Sequence, residues 1–303
     1  MTPIDNEILL VDRLDVIRKV NDKYDLETNA YISFSGGKDS TILHYLIDMA
    51  LPNNRIPRVF INTGIEYNDI VSFVKELASK DNRFIIIQPT KPIKQVLEKY
   101  GYPFKSKEHS LYLSIYQTKG DVSKTYQRYI KPSEKRLSFG CSNNLKYQFS
   151  KDFKLKVSNK CCYKLKKEPA KKWSKENNKT ITLTGMRKEE GGTRANIKGC
   201  ILTDKNGNLN KFHPLLVVNE DFENWFISKF NIKLCRLYYE PFNFKRTGCK
   251  GCPFALDLQE QLTTMELYLP NERKQCEIIW NKVYEEYRRL NYRLKKDEQM
   301  KLF

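Results

Sequence analysis

Apolar runs alternate with amphipathic segments over the first third of the chain. The apolar runs predict three buried strands, at residues 30–34, 58–62 and 83–88. The 3.6-residue periodicity of the intervening segments predicts helices, at about 40–50 and 68–79. A further amphipathic helix is predicted before the first strand, over residues 5–24, with an apolar face made of Ile8, Val11, Leu14, Val16, Ile17 and Val20. Strands that alternate with helices predict an α/β fold with a doubly wound parallel sheet.

The pattern breaks over about residues 100–179, which are rich in Lys, Ser, Tyr and Asn. We expect this stretch to be an insertion of short helices and loops. The sheet is predicted to resume at residues 180–184, followed by a short helix near 222–230 and a long helix at roughly 272–299. The predicted division is therefore an N-terminal helix (1–28), a central α/β domain (29–245) and a cysteine-containing, helical C-terminal segment (246–303).

The chain is strongly basic, with 54 Lys and Arg against 36 Asp and Glu and a net charge of +18. This balance favours anionic partners such as nucleotide phosphates or nucleic acid, although a Lys-rich surface without a ligand explains it equally well. No apolar run approaches the ~18 residues of a membrane helix, and no signal peptide precedes the first helix. We therefore expect a cytoplasmic protein without a membrane partner. We do not expect structural disulfides among its eight cysteines, so metal binding or redox chemistry is considered first for them.

The loop Ser35-Gly36-Gly37-Lys38-Asp39-Ser40 lies between a predicted buried strand and a predicted helix. Two glycines allow an anion to approach the backbone, and the N-terminus of the helix attracts it. The P-loop of common nucleoside triphosphatases is excluded, because Ile32 and Asp39 occupy places where it needs Gly and Ser or Thr. The sequence therefore predicts a phosphate site, in which Asp39 orients the loop or helps to hold a cation such as Mg²⁺. The alternative is a turn without a ligand.

This loop resembles the Ser-Gly-Gly-x-Asp-Ser signature of the PP-loop superfamily, the adenine nucleotide α-hydrolases. The resemblance implies that ATP or an adenylyl derivative is bound and that the chemistry takes place at the α-phosphate. It implies a nucleotide-binding role for the whole loop, Ser35, Gly36, Gly37, Lys38, Asp39 and Ser40.

The adjacent cysteines Cys161 and Cys162 and the later Cys249-x-x-Cys252 pair form the most specific cysteine pattern of the chain. The pattern resembles the [4Fe–4S] signature of the phosphoadenosine phosphosulfate (PAPS) and adenylyl-sulfate reductase family. The resemblance implies that these four cysteines bind the cluster and that Lys166 contacts it. A zinc site remains the alternative, because four thiolates accept either metal. For the other cysteines we expect buried, unliganded positions, at Cys141, Cys200, Cys235 and Cys276.

The resemblance extends from about residue 30 to residue 253. It implies that Thr63 and Gly64, at the end of the second strand, lie near the nucleoside. It also implies that Arg187 and Arg194 bind the anionic part of the substrate, as arginine forks suit phosphate and sulfate. The implied catalytic residues are therefore Lys38, Asp39, Arg187 and Arg194. For His213 we expect a packing role.

One departure from the family separates the functional hypotheses. Reductases that make sulfite use a cysteine in a C-terminal Glu-Cys-Gly-x-His motif, and no Glu-Cys-Gly occurs here. We therefore favour an enzyme that activates a substrate with ATP and transfers sulfur, in the style of thiolation or phosphorothioation of nucleic acid. Its candidate partners are DNA or tRNA and a cysteine desulfurase or electron donor. The alternatives are a sulfonucleotide reductase and a non-catalytic nucleotide or nucleic-acid binding module.

Overall fold

A computed structural model describes residues 3–132 and 140–295. The chain divides into two compact units. Within the described residues, the first unit contains residues 3–62, 66–88 and 168–248, and the second contains 63–65, 89–132, 140–167 and 249–295. Each unit is therefore built from separate stretches of sequence.

The first unit is built on a mainly parallel sheet with the strand order β3-β2-β1-β4-β6-β5. Its strands are β1 (Ala30–Phe34), β2 (Arg58–Ile61), β3 (Phe84–Ile87), β4 (Ile181–Leu183), β5 (Ile201–Thr203) and β6 (Leu209–Phe212). β5 alone among these strands is antiparallel to its neighbour, β6. The strand order reverses between β1 and β4, and α/β sheets bind ligands at the carboxyl ends of the strands beside such a reversal. The predicted α/β class with a parallel sheet is confirmed.

Helices of the first unit connect these strands and cover them. They are α1 (Pro3–Tyr24), α2 (Leu26–Asn29), α3 (Lys38–Ala50), α4 (Asn68–Lys80), α8 (Glu168–Glu176) and α9 (Glu220–Lys229). The helix predicted at the N-terminus is present, and its apolar face is confirmed at Ile17 and Val20, which are buried, but not along its whole length. Ile8 and Val11 are exposed, whereas Asn6 and Arg13 are buried. Arg13 can be buried because its guanidinium donates to the Pro214 carbonyl oxygen at 3.4 Å and to the Cys200 sulfur at 3.5 Å.

The second unit is helical. It contains α5 (Ile93–Tyr100), α6 (Lys107–Lys119), α7 (Lys124–Ile130), α10 (Leu258–Tyr268) and α11 (Pro270–Arg289). The long helix predicted to reach residue 299 ends ten residues earlier, and residues 296–299 lie outside the described part. It ends because Asn291 and Arg293 adopt positive φ values of 50° and 60°, which a right-handed helix excludes. Along the described residues, no helix combines the length and the apolar character that crossing a membrane requires.

Candidate functional site

The loop between β1 and α3 is closed by its own serine hydroxyls. Ser35 Oγ lies 3.0 Å from Ser40 Oγ, and the Ser35 amide donates to Ser40 Oγ at 3.2 Å. Ser40 Oγ also donates to the Gly37 carbonyl oxygen at 2.9 Å. These contacts fix a tight turn at the N-terminus of α3, where amide N–H groups and the helix dipole favour an anion.

Both glycines of this loop occupy positions where a side chain does not fit. Gly36 has a φ of +73°, and a Cβ there would lie 2.9 Å from Ile70 Cγ2. A Cβ on Gly37 would lie 3.1 Å from the Tyr238 hydroxyl. The loop therefore needs glycine for its backbone conformation at the first position and for a close approach at the second.

Arg187 lies beyond the carboxyl end of β4 and pairs with three carboxylates. Its Nε donates to Asp39 Oδ1 at 2.9 Å, its Nη1 to Glu189 Oε2 at 2.6 Å, and its Nη2 lies 3.1 Å from Glu223 Oε2. Burial opposes the charged form, but Glu223 and Asp39 outweigh it and raise the pKa of Arg187. The structure thus brings two predicted residues, Asp39 and Arg187, into direct contact.

Glu223 is the principal residue of this site that the sequence analysis missed. It lies on α9 and is completely buried, and its Oε2 is 3.2 Å from Lys38 Nζ as well as 3.1 Å from Arg187 Nη2. Burial, together with the neighbouring Asp39 carboxylate, raises the pKa of Glu223 to about 8, against the opposing effect of Lys38 and Arg187. A carboxylate inside the apolar face that Phe222 and Phe226 mark on α9 was the available sequence signal.

Tyr238 and Thr247 also support the loop and were missed. The Lys38 amide donates to the Tyr238 hydroxyl at 3.0 Å, and that hydroxyl lies 2.7 Å from Thr247 Oγ1. Burial raises the pKa of Tyr238 to about 12, so the hydroxyl stays protonated and can accept from Lys38 while it bonds to Thr247. Neither residue belongs to a recognisable motif.

Arg194 belongs to the same unit but has a different partner. It pairs with Glu190, and Arg246 Nη2 lies 3.1 Å from that same carboxylate. Burial and repulsion from Arg246 lower the pKa of Arg194, while Asp39 acts in the opposite direction. The arginine side chain is still 39% exposed, which leaves it accessible to an anionic ligand.

Thr63 and Gly64 follow β2 but belong to the second unit. Thr63 is buried, and Gly64 has a φ of +82°. The next residue, Ile65, accepts a hydrogen bond from the Lys250 amide at 2.8 Å. Within the second unit this turn is therefore attached to the Cys249–Cys252 loop, and its place beside a nucleoside stays a prediction.

The second unit brings the four cysteines of the predicted cluster around one small cavity. Cys161, Cys162, Cys249 and Cys252 line it together with Lys166, and the cavity volume is about 10 Å³. Burial and the other three sulfurs raise the pKa of Cys161, whereas Lys166 lowers it. Burial and Cys249 also raise the pKa of Cys252, to about 12. The remaining cysteines are buried as expected, except for the half-buried Cys200.

The helical segment that begins with Cys161 and Cys162 contains a π-helical turn at Tyr163–Lys167. Such turns are rare and are frequent at functional sites. The opposite wall, the Cys249–Cys252 loop, packs against α11. The Trp280 Nε1 donates to the Lys250 carbonyl oxygen at 3.2 Å, and Lys250 Nζ donates to Gln275 Oε1 at 2.7 Å.

The four thiols and the neighbouring lysine are a donor set that suits a thiolate-bound iron–sulfur cluster. In the described residues, no group of three or more His, Cys, Asp and Glu side chains has the geometry to hold a metal ion.

A family model described as the phosphoadenosine phosphosulfate reductase domain matches residues 29–120 and 109–255. An uncharacterized protein of Methanocaldococcus jannaschii is 26% identical over 282 residues, which cover 90% of this chain and 53% of the relative. The chain thus spans about half the length of this curated relative.

Two solved structures are similar at 14% identity. The PAPS reductase of Candida auris in its phosphate complex has a TM-score of 0.47, with 82% of this chain and 96% of that chain covered. The U34-tRNA thiolase of Methanococcus maripaludis with its [4Fe–4S] cluster has a TM-score of 0.40, with 94% and 80% covered.

Proposed function

The chain belongs to the phosphoadenosine phosphosulfate reductase domain family, and from this premise we propose that it binds ATP or an adenylyl nucleotide and acts at the α-phosphate. The proposed activity is the activation of a nucleic acid, DNA or tRNA, for the introduction of sulfur. The observation that carries the proposal is the cluster of Lys38, Asp39, Arg187 and Glu223 at the carboxyl ends of β1 and β4. This cluster combines the proposed phosphate loop with two cationic side chains, Lys38 and Arg187, and with the buried carboxyl group of Glu223, which can bind a proton.

The proposed reaction begins with the transfer of an adenylyl group from ATP. An oxygen atom of the nucleic acid attacks the α-phosphorus of ATP, the bond to the bridging oxygen breaks, and pyrophosphate leaves. Lys38 and the N-terminus of α3 stabilise the negative charge on the leaving pyrophosphate. Hydrosulfide then attacks the adenylylated carbon or phosphorus atom of the nucleic acid, and AMP leaves.

The cysteines of the second unit would hold the cofactor of the sulfur step. In this proposal Cys161, Cys162, Cys249 and Cys252 bind a [4Fe–4S] cluster, which when bound would supply iron sites for sulfur and for electrons. Lys166 lowers the cost of gathering several thiolates, because its charge opposes their mutual repulsion.

The proposal is tested by measuring pyrophosphate release from ATP in the presence of RNA or DNA. Lys38→Ala should lower the rate about 100-fold or more, the usual effect of losing one group that stabilises developing charge. Lys91→Ala, which changes an exposed lysine, is the control and should leave the rate unchanged. Release that is independent of Lys38, or no release with any nucleic acid, would contradict the proposal.

A sulfonucleotide reductase is the second candidate, and the family match itself favours it. In this reaction the same loop binds adenylyl sulfate or PAPS, and the product is sulfite. Sulfite formation with either nucleotide, without pyrophosphate release from ATP, would decide for this alternative.

A further inference from the structure

A basic groove of about 550 Å³ runs along the second unit beside the cysteine cavity. Four lysines line it, Lys107, Lys160, Lys164 and Lys167. No Asp or Glu is among its lining residues. The positive charge of these lysines favours an anionic ligand in this groove.

Cys162 joins this groove to the cysteine cavity. The two adjacent cysteines differ in exposure, since Cys161 is buried and Cys162 is half-buried. Cys162 lines the cavity that all four cysteines share, and it also lines the basic groove. A ligand in the groove would thus lie against one of the four sulfurs.

Two tyrosines add aromatic faces to the groove. Tyr163 is 47% exposed. Over the ring of Tyr100, Lys164 Nζ lies 5.3 Å and Lys160 Nζ 5.7 Å from the ring centre. Alternation of basic and aromatic side chains is characteristic of surfaces that bind single-stranded nucleic acid, where bases stack and phosphates contact lysines. A small inorganic anion would not stack on the two tyrosine rings, and an acidic peptide has no bases to stack on them.

The spacing of three lysines suits an extended polyanion. Lys160 directly precedes the helical segment that contains Lys164 and Lys167. Lys160 and Lys167 are seven residues apart, or about 10 Å at the usual rise. This distance exceeds the ~3.4 Å by which a helical strand advances along its axis with each phosphate. The row of lysines can therefore contact more than one phosphate of the same strand.

We propose that this groove binds a single-stranded segment of RNA or DNA, with its phosphates on the lysines and a base on Tyr163. This inference rests on the proposed function, since it identifies where the acceptor nucleic acid approaches the cysteines. It assigns the acceptor to the second unit, whereas the nucleotide loop lies in the first.

The test is the affinity of the full chain, purified without oxygen, for fluorescein-labelled 12-nucleotide RNA and DNA strands in the absence of ATP. The variant Lys160→Glu/Lys164→Glu/Lys167→Glu should lose about 100-fold in affinity, and its slope of log Kd against log salt should fall by about 2. Tyr163→Ala should lose about tenfold with an unchanged slope, because stacking releases no counterions. RNA and DNA are measured separately to identify the preferred strand.

The matched control is Lys119→Glu/Lys124→Glu/Lys131→Glu, three exposed lysines that do not line the groove. It should bind within threefold of the unchanged protein. Equal losses in the two triple variants would overturn the proposal, and so would stronger competition by polyglutamate than by unlabelled single strands.

A second measurement needs no variant. Ultraviolet cross-linking of a 4-thiouridine-containing RNA, or of the corresponding thiothymidine DNA, should attach the strand to the peptide that contains Tyr163 or Tyr100. Cross-links exclusively elsewhere would overturn the proposal. Binding in the groove without pyrophosphate release would contradict the proposed reaction alone, whereas Lys38-dependent release without groove binding would contradict this inference alone.

Discussion

The backbone of Gly185 passes directly against that of Asp39. A Cβ at residue 185 would lie 2.7 Å from the Asp39 carbonyl oxygen, a distance that real side chains do not adopt. The end of β4 can therefore approach the first turn of α3 because residue 185 has no side chain. This approach brings Arg187, two residues later, within hydrogen-bonding distance of Asp39.

Gly185→Ala should consequently separate β4 from the loop. We expect a loss of about 1–3 kcal/mol in the free energy of unfolding, the usual cost of overpacking, together with weaker ATP binding. Denaturant unfolding and calorimetric titration with ATP measure the two effects. Gly199→Ala is the control, because the nearest atom to a Cβ there is 4.0 Å away. Equal behaviour of the two variants would contradict the prediction.

Glu223 should make the stability of the protein depend on pH. Its pKa rises from 4.5 to about 8 in the folded protein, so the folded chain keeps a proton between these values that the unfolded chain releases. The contribution of this group to the free energy of unfolding is fully present below pH 4.5 and is lost as the pH rises through about 8. Between these values the free energy of unfolding falls by at most about 1.4 kcal/mol per pH unit. Glu223→Gln should flatten this dependence in unfolding curves measured from pH 5 to pH 9. Glu220→Gln, at a side chain 67% exposed, should not.

The same carboxyl group should control nucleotide affinity. Above pH 8 an ionised Glu223 competes with phosphate for Lys38 and Arg187, both of which it contacts. ATP affinity should therefore fall as the pH rises from 7.5 to 9, and Glu223→Gln should remove this decline. An unchanged pH profile in the variant would show that the proton lies elsewhere.

The four cysteines around the shared cavity should act as one set. Cys162→Ser or Cys252→Ser should abolish the absorption near ~400 nm expected of a thiolate-bound iron–sulfur cluster, together with the bound iron and sulfide. Cys200→Ser, at a half-buried cysteine outside the cavity, should leave the spectrum unchanged. If the protein is colourless and contains zinc but no sulfide, the cysteines form a zinc site rather than an iron–sulfur site.

The conformation of the Cys249–Cys252 loop should depend on the absence of a side chain at Gly251. It has a φ of +57°, and a Cβ there would lie 2.7 Å from Cys276 Sγ on α11. Gly251→Ala should therefore displace the Cys249–Cys252 loop and lower both metal content and thermal stability. Gly248→Ala, where a Cβ meets no atom within 4 Å, should retain both. Iron and zinc analysis with a melting curve distinguishes the variants.

The sequence predicted the structure best where the apolar periodicity of a short segment is enough to define a strand or a helix. The alternation of apolar runs with helical periodicity predicted the parallel sheet, and β1 was placed at the observed residues. β5, β6 and α10 were missed. The two strands are only three and four residues long, and their exposed positions leave no continuous apolar run. The apolar face of α1 was correct at Ile17 and Val20 but wrong at Ile8 and Val11, which are exposed. Arg13 is buried through hydrogen bonds to distant carbonyl and sulfur atoms, which no periodicity reveals.

The sequence by itself determined the glycine-rich loop and the cysteine pattern, since each depends on residue types at fixed spacings, and it determined the excess of positive charge through its composition. Only the tertiary structure showed that Glu223 from α9 lies between Lys38 and Arg187, and that Tyr238 supports the loop through the Lys38 amide. The contacts of Lys38 with Glu223 and with Tyr238 join residues about 185 and 200 positions apart, so they arise from packing rather than from any local pattern. For the same reason, only the structure showed that Gly185 must lack a side chain and that Cys162 lines two cavities. In the proposed phosphate site, Lys38 of the loop therefore contacts a buried carboxylate that no motif contains.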